Sequence, residues 1–167
     1  LGLADIRWIS TARFGGSCAI AASEILLSAV KVPSIISNCI RLENLLPFFN
    51  EFKKAGIKCG VALLPGTYPE LVKPYIDVAD HVLIFAGSLG KQGGEADLLQ
   101  IEKIKIVRKL KSDLEIGWDG GANLTNIRAL AHADLNVINV GSAISKAENP
   151  ADAYSNLVEE SKKRGVL

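Results

Sequence analysis

Residues 114–144 read LEIGWDGGANLTNIRALAHADLNVINVGSAI, and they hold two short apolar strands that each run into a glycine-bearing turn. The first strand ends in Asp119–Gly121, so a carboxylate stands at its tip while the glycines let the backbone turn sharply and expose its N–H groups. The second, Val137–Val140, is followed by Gly141-Ser142 at the start of a helix, where free N–H groups suit an anion. The two turns together predict a phosphate-binding edge.

The alternation of apolar strands and helical segments extends towards both ends of the chain. Four strands of the second half are too apolar to have one solvent-facing side, which indicates a parallel sheet covered by helices. We predict these strands at Lys58–Leu64, His81–Phe85, Leu114–Trp118 and Asn136–Val140. We predict helices at Tyr68–Val78, Asp97–Lys111, Asn123–Ala131 (capped by Asn123) and Pro150–Lys163, the last ending at Gly165. In Asp97–Lys111 the core-facing residues are predicted to be Leu98, Ile101, Ile104 and Leu110.

The first half of the chain continues the pattern less regularly. We predict strands at Ala4–Ile9 and Val32–Ser37, and helices at Cys18–Val30 and Leu42–Ala55. About six βα units follow one another without a linker, so residues 1–167 are expected to form one domain. Such a series favours a doubly wound sheet or a (β/α)8 barrel. No Gly-x-Gly-x-x-Gly follows an early strand, which argues against a dinucleotide-binding fold.

Composition limits the classes of function. With 49% hydrophobic and 22% charged residues the chain is typical of a globular domain, and a net charge of +1 gives no general attraction for nucleic acid. No apolar run is long enough to cross a membrane, and no signal peptide is recognisable. Cys18, Cys39 and Cys59 are widely spaced and are expected to be reduced, which favours the cytoplasm. The chain starts at Leu1 and has no methionine, which leaves three interpretations open: a fragment, a processed chain or an incomplete record.

Four segments, GVALLPGT, HVLIFAGSLGKQGG, IGWDGGAN and NVINVGSAI, occur in the order and spacing of the ribulose-phosphate 3-epimerase family, which the chain resembles over residues 41–160. That family is a (β/α)8 TIM barrel acting on phosphopentoses. In the family the segments correspond to the fifth strand with its turn, the flexible loop after the sixth strand, the seventh strand with Asp-Gly-Gly, and the eighth strand with Gly-Ser. The resemblance therefore implies a TIM barrel whose first two strands have no counterpart in this chain.

The resemblance also implies roles for individual residues. Asp119 would be one of two acid/base carboxylates that move a proton at the carbon next to a ketone, and one ligand of a divalent metal (Zn, Fe or Mn). Gly93 and Gly94 would close over the phosphate, and a second set of residues would donate hydrogen bonds to it from N–H and hydroxyl groups. This second set comprises Gly120, Gly121, Gly141 and Ser142. A barrel lacking two strands would expose sheet edges, so we expect a homo-oligomer or further residues to cover them.

Departures from the family lie in the first half. The family's second strand brings the other catalytic Asp and two metal ligands, and no segment here matches it. Matching ADIRWI to the third strand puts Arg7 where a metal-binding histidine is expected, and arginine cannot serve as a ligand. The segment after the next strand offers Ser37 and Cys39 where the family has His-Ala-Glu. Metal binding is therefore lost or altered, or the other catalytic half comes from residues not present here.

Several alternatives stay open. The chain could be a phosphosugar-binding barrel without turnover, or a lyase or decarboxylase of the same superfamily, instead of an epimerase. Asp119 could simply cap a helix. We expect structural roles for His81 and His132, core packing for Trp118, and a solvated face for the lysines of 103–111. Lys91, in the glycine loop, could assist at the phosphate or lie on the surface.

Overall fold

The computed structural model describes residues 5–8, 17–21, 46–56, 58–88 and 93–164, and of the first two ranges only the backbone. Six strands form one sheet in which every neighbouring pair is parallel. The strands are β1 (Asp5–Trp8), β2 (Ser17–Ala21), β3 (Lys58–Leu63), β4 (His81–Phe85), β5 (Glu115–Asp119) and β6 (Val137–Val140). Their order across the sheet is β1-β6-β5-β4-β3-β2.

The helices lie between the strands along the chain, as in successive βα units. They are α1 (Leu46–Lys54), α2 (Lys73–Val78), α3 (Ile101–Leu110), α4 (Ile127–Ala131), α5 (Ser142–Ser145) and α6 (Pro150–Lys162). Short 3-10 turns precede α2 at Pro69–Val72 and α3 at Leu98–Gln100. The Asn149 side chain caps α6 by accepting hydrogen bonds from the N–H groups of Ala151 and Asp152, and Pro150 occupies the first turn.

Alternate residues of the central strands face two different environments. Ile84, Ile116, Trp118 and Ile138 are fully buried in the main core beneath the helices. The opposite face carries Ala62 and Leu83, together with small or polar residues such as Gly117, Asp119 and Asn139. The candidate acid Asp119 therefore stands on the side of the sheet away from the main core.

The four strands predicted in the second half are confirmed to within a residue at either end, and β1 matches the prediction for Ala4–Ile9 over its described residues. The helix predicted for Cys18–Val30 is wrong at its start, because residues 17–21 form β2 and pair with β3, with Cys18 opposite Cys59. A short apolar run such as SCAIA fits a buried strand as well as a helix, and strand pairing decided it here. Residues 22–30, the strand predicted at Val32–Ser37 and Gly165 lie outside the described residues.

Within α3 and its flanks the pattern predicts some faces wrongly. Ile104 is buried as expected, but Leu98 is 43% exposed because it lies in the 3-10 turn before the helix, off the helical stripe. Lys103, expected on a solvated face, is buried, and its amine donates to the carbonyls of Leu64 (2.6 Å) and Pro65 (2.9 Å). Burial lowers the pKa of this lysine, and the nearby Asp97 raises it in part.

The topology also corrects the interpretation of Arg7. The strand that contains it pairs with β6, with Arg7 in register with Asn139. Under the family correspondence β6 is the eighth strand, and the eighth strand of a closed barrel has the first and seventh as neighbours, not the third. Likewise β2 lies beside the counterpart of the fifth strand, where the fourth belongs. The strand positions without a counterpart among the described residues are then the second and third, and Arg7 does not replace the third-strand histidine.

Candidate active site

The candidate site lies at the carboxyl ends of β4, β5 and β6, where three glycine-bearing segments come together. They are the end of the loop after β4, with Gly93 and Gly94, the turn after β5, with Gly120 and Gly121, and Gly141-Ser142 after β6. Because all three strands are parallel, their carboxyl ends lie at one edge of the sheet. In α/β folds this edge carries the binding site.

The base of the loop after β4 is closed by backbone hydrogen bonds. The N–H of Asp97 donates to the carbonyl of Ala86 (2.8 Å), and the N–H of Ala86 donates to the carbonyl of Asp119 (2.8 Å). The loop therefore leaves and returns at the same point, directly beside the tip of β5. This fixes the position of both its ends relative to Asp119.

The turn after β5 packs against this loop base without room for a side chain. A Cβ atom at Gly120, where φ is +116°, would lie 2.2 Å from the nitrogen of Gly87, and one at Gly121, where φ is +66°, would lie 2.2 Å from the nitrogen of Ala96. Both contacts are with backbone, which cannot swing aside. Glycine is therefore required twice over, by the close approach and by the left-handed backbone.

Gly93, in the loop after β4, lies close to the segment after β6. Gly93 has φ of +80°, and a Cβ atom there would lie 3.0 Å from the amine Nζ of Lys146 and 3.4 Å from the hydroxyl Oγ of Ser142. No atom of the described residues lies within 4 Å of the Cβ position of Gly141, so this part of the structure leaves space beside it. The structure thus brings Gly93 close to the side chains of Ser142 and Lys146, in the segment that begins with Gly141.

Asp119 is the last residue of β5, in register with Phe85 on one side and Asn139 on the other. Among the described residues its carboxylate has one hydrogen-bond donor, the N–H of Gly120. Burial raises the pKa of Asp119, and the Gly120 bond lowers it in part. A carboxyl group with this balance holds its proton to a higher pH than an ordinary aspartate, which is the property an acid/base catalyst needs.

The alternative role of Asp119 as a helix cap is not what the structure shows. The Asn123 side chain closes the turn before α4, because its oxygen accepts hydrogen bonds from the N–H and the hydroxyl of Thr125. The predicted capping of α4 by Asn123 is wrong, since the helix begins four residues later, at Ile127. The carbonyl of Gly121 accepts from the side-chain amides of Asn123 and Asn126. The asparagines therefore hold the turn and leave the Asp119 carboxylate unused for capping.

Trp118 is fully buried, and its indole N–H donates to the carbonyl of Gly120 (3.0 Å). It packs in the core, as the sequence predicts, and it also fixes the orientation of the Gly120 peptide. Since the Gly120 N–H is turned towards Asp119, the predicted role of that N–H at a phosphate stays a prediction.

Two residues at this edge were missed in the sequence. Asn139 is 8% exposed and lies next to Asp119 on the same face, and its strand position alone could have indicated this. Lys146 lies one helical turn after Ser142, a spacing that places both side chains on one face. The cation suggested by the sequence is instead Lys91, which lies outside the described residues.

A metal site does not emerge from the described residues. Within these ranges no group of three His, Cys, Asp or Glu side chains could hold a metal ion, and Asp119 has no second carboxylate or imidazole as a neighbour in its sheet row. The described residues by themselves therefore do not fit the divalent metal that the resemblance implies. Ser37 and Cys39 lie outside them.

His81 and His132 lie away from this edge. His81 begins β4, at the amino end of the strands, and its Nδ1 is 3.0 Å from the Glu115 carboxylate. The Nε2 of His132 is 3.1 Å from the carbonyl of Lys163. Cys59 is buried in the core. Among the helices that the structure describes, none has the length and apolar character to cross a bilayer.

Sequence comparison finds that the Ribulose-phosphate 3 epimerase family matches residues 29–145. Ribulose-phosphate 3-epimerase of Schizosaccharomyces pombe is 34% identical over 103 residues, covering 61% of this chain and 45% of the relative. The cytoplasmic isoform of Oryza sativa is 31% identical over 118 residues, covering 69% of this chain and 52% of the relative. A chloroplastic enzyme of Arabidopsis thaliana is 31% identical over 112 residues, covering 65% and 40%. The chain thus spans about half the length of these relatives.

Solved structures agree on the fold. The 3-hexulose-6-phosphate synthase of Salmonella typhimurium superposes with a TM-score of 0.56 at 20% identity, covering 72% of this chain and 57% of that one. A ligand complex of KGPDC from Streptococcus mutans superposes with a TM-score of 0.52 at 16% identity, covering 68% and 52%. At these identities the likeness carries the fold alone, an α/β fold of the (β/α)8 TIM-barrel type with partial coverage.

Proposed function

The chain belongs to the ribulose-phosphate 3-epimerase family, and from that premise we propose that it binds a phosphorylated ketopentose at the carboxyl ends of β4–β6. Asp119 would then act in proton transfer at the carbon next to the ketone. The observation that carries the proposal is the meeting of three glycine-bearing segments beside a carboxyl group whose pKa is raised. We likewise propose that the whole chain forms one phosphosugar-binding domain.

The phosphate would lie in the open space bounded by Gly93, Gly141 and Ser142. At the start of α5 the carbonyl of Gly141 accepts from the N–H groups of Ile144 and Ser145, while the first N–H groups of a helix have no acceptor within it. We propose that the N–H groups at the start of α5 without an acceptor in the helix, together with the Ser142 hydroxyl, donate to phosphate oxygens. We propose that Gly94 and Gly121, next to Gly93 and Gly120 in their two segments, contribute further backbone N–H groups to the phosphate.

Asp119 would carry the chemistry on one face of the substrate. Its ionised form can take a proton from the carbon next to the ketone, and its protonated form can return one. A raised pKa brings these two forms closer to equal population near neutral pH, which favours acid/base catalysis. Epimerisation needs a second acid/base group on the opposite face, and we propose that it comes from outside the described residues, in the sheet positions between β2 and β1.

Metal chemistry is a separate part of the proposal. The resemblance implies a divalent metal, which would stabilise negative charge on the enediolate oxygens. Asp119 could supply one ligand, and the other ligands would have to come from outside the described residues. The cytoplasmic location and the homo-oligomer stay predictions, because the relatives include a chloroplastic and a cytoplasmic isoform and one chain carries no oligomeric information.

A phosphosugar-binding role without turnover is the second candidate. It is favoured by the isolation of Asp119, which has no carboxylate partner among the described residues at its edge of the sheet. A lyase or decarboxylase reaction has less support, since the structural neighbours of those types share only the fold.

One experiment separates turnover from binding. The protein is incubated with ribulose 5-phosphate in deuterated water, with Zn²⁺, Fe²⁺ or Mn²⁺ added in turn, and exchange at carbon 3 is followed by NMR. We expect exchange that depends on the protein. Its absence with every metal would rule out the epimerase proposal for this chain, and calorimetric binding of the same sugar would then favour the second candidate.

The phosphate space is tested by Gly141→Asp. Because no described residue has an atom within 4 Å of the Cβ position, the variant should fold, and the new carboxylate should abolish phosphosugar binding by repelling the phosphate. Gly66→Asp is the matched control, since Gly66 is equally open and lies in the loop after β3. Equal affinity of both variants for ribulose 5-phosphate would remove this space from the proposal.

A further inference from the structure

Lys146 brings an amine to the space beside Gly93. Its Nζ lies 3.0 Å from the Cβ position of Gly93, and the Ser142 hydroxyl lies 3.4 Å from the same point. Two polar side-chain atoms therefore reach one point. A side chain larger than hydrogen at residue 93 would press against both.

Local helix geometry explains why the two side chains converge. The N–H of Lys146 donates to the carbonyl of Ser142 (3.1 Å), so the two residues are one helical turn apart. Residues at this spacing lie above one another on the same face of a helix. The Lys146 side chain therefore leaves the helix on the same side as that of Ser142.

The Lys146 amine is also available. It is exposed, and within the described ranges no carboxylate or carbonyl engages it in a hydrogen bond or ion pair. Other lysines differ in this respect: the amine of Lys105 pairs with Glu102 at 2.8 Å, and that of Lys73 pairs with Asp77 at 2.6 Å. An ammonium group without a local anion attracts an anionic ligand.

From this juxtaposition we infer that Lys146 is a phosphate-binding residue, which donates to an oxygen of the sugar phosphate held beside Gly93 and Ser142. The inference rests on the proposed function and adds to it a charge preference. A phosphate monoester carries a charge between about −1.5 and −2 at pH 7, because its second pKa is about 6. Backbone N–H groups supply only partial charges, so Lys146 would favour the dianion over the monoanion.

The test is calorimetric binding of ribulose 5-phosphate at low ionic strength. Lys146→Gln should raise Kd by about 5- to 20-fold, since charge-assisted hydrogen bonds are stronger than neutral ones but exposure weakens them. Lys146→Arg should stay within about 3-fold of the unaltered protein, because it keeps the charge. Lys58→Gln removes the same charge at the amino end of β3, on the opposite edge of the sheet, and should change Kd by less than about 2-fold.

A dependence on pH gives a readout that a merely structural lysine would not produce. The loss of affinity in Lys146→Gln should be larger at pH 8, where the phosphate is dianionic, than at pH 5, where it is monoanionic. Equal Kd values for Lys146→Gln and the unaltered protein would overturn the inference and leave the proposed function standing. An equal loss in Lys58→Gln would also overturn it, because the effect would then be one of net charge. Failure of the unaltered protein to bind the sugar would overturn both proposals.

Discussion

The two ends of β4 and β5 surround a carboxylate with different groups. At the amino end, Glu115 has the His81 imidazole at 3.0 Å, and the ring packs over Gly117, where a Cβ would lie 2.8 Å from its Cε1. At the carboxyl end, Asp119 has only the Gly120 N–H among the described residues, and its pKa is raised by burial. Along β5, Glu115 is therefore paired with an imidazole, whereas Asp119, four residues later, has no charged partner in the part of the chain that the structure describes.

The contacts between neighbouring elements also differ between the amino and the carboxyl ends of the strands. At the amino ends Arg108 of α3 ties Asp134 and Asn136 together, with bonds of 3.0 Å to the Asp134 carboxylate and 2.7 Å to the Asn136 side chain. At the carboxyl end of β5 the backbones of Gly120 and Gly121 meet the base of the loop after β4, and side chains bind the carbonyls of these two glycines: the Trp118 indole that of Gly120, and the Asn123 and Asn126 amides that of Gly121. Hydrogen bonds between side chains join neighbouring elements at the amino ends, whereas close backbone contacts at two glycines do so at the carboxyl ends. We therefore expect the proposed chemistry to depend on the carboxyl ends and not on the charged pair at the amino ends.

The largest expected effect comes from removing the unpaired carboxylate. Asp119→Asn should slow protein-dependent exchange at carbon 3 of ribulose 5-phosphate by about 10²- to 10⁴-fold, the contribution typical of a general acid or base. Kd for the sugar should change little, since the phosphate contacts remain. NMR exchange and calorimetry measure the two quantities. Glu115→Gln is the control at the other end of the strand, and an equal loss of exchange in that variant would break the comparison.

Next in size is the effect of a side chain on the backbone contacts. Gly120→Ala should lower the free energy of unfolding by about 2–4 kcal/mol, because its Cβ would meet backbone and its φ is positive. Gly117→Ala should cost about 1–2 kcal/mol, since the His81 ring it meets can move. Gly66→Ala, with open space around it, should stay within about 0.5 kcal/mol. Urea unfolding measures all three, and equal losses at residues 66 and 120 would contradict the packing argument.

The pH dependence of stability tests the raised pKa directly. The folded protein holds the Asp119 proton more tightly than the unfolded chain does. Stability from this residue is therefore fully present below the unfolded pKa and is lost as the pH rises through the folded pKa. The unfolding free energy of the unaltered protein minus that of Asp119→Asn should fall with rising pH from about pH 3, by about 1.4 kcal/mol per unit of pKa difference. A difference that stays constant or rises with pH would contradict the assignment.

The smallest effect is expected at the paired carboxylate. The Glu115 side chain is 44% exposed and that of His81 is 28% exposed, so the pair is well screened by water. Glu115→Gln should lower the free energy of unfolding by no more than about 1 kcal/mol and leave the affinity for ribulose 5-phosphate unchanged. Chemical denaturation and calorimetry check the two values. A loss of affinity would show that the two ends of the strand are coupled.

Much of this arrangement could be predicted from the sequence where local patterns decide. The strands at β3–β6 are short, apolar and bounded by turn residues, so their positions follow from periodicity, and Asp119–Gly121 and Gly141-Ser142 indicated the candidate edge. The strand at residues 17–21 and the burial of Lys103 could not be predicted. Both depend on distant partners, β3 for the strand and the carbonyls of Leu64 and Pro65 for the amine.

The candidate site, too, could be predicted from the sequence only in part. A pattern of residues identified Asp119, but the raised pKa depends on burial that only the assembled sheet provides. Lys146 was missed because nothing in GSAISK marks a ligand, and its relevance comes from Gly93, about fifty residues away in the chain. Matching Arg7 to a third-strand histidine failed because sequence order does not reveal which strands are neighbours.

The hydrogen bond from the Trp118 indole to the Gly120 carbonyl has an optical consequence. Indole emission depends on the surroundings of the ring, and this ring is fully buried while its N–H is joined to the turn beside the proposed phosphate space. The chain has only one other tryptophan, Trp8, so a Trp8→Phe variant would leave Trp118 as a single fluorophore. Ligand that shifts the Gly120 peptide would then change its emission, which offers a label-free titration of the site.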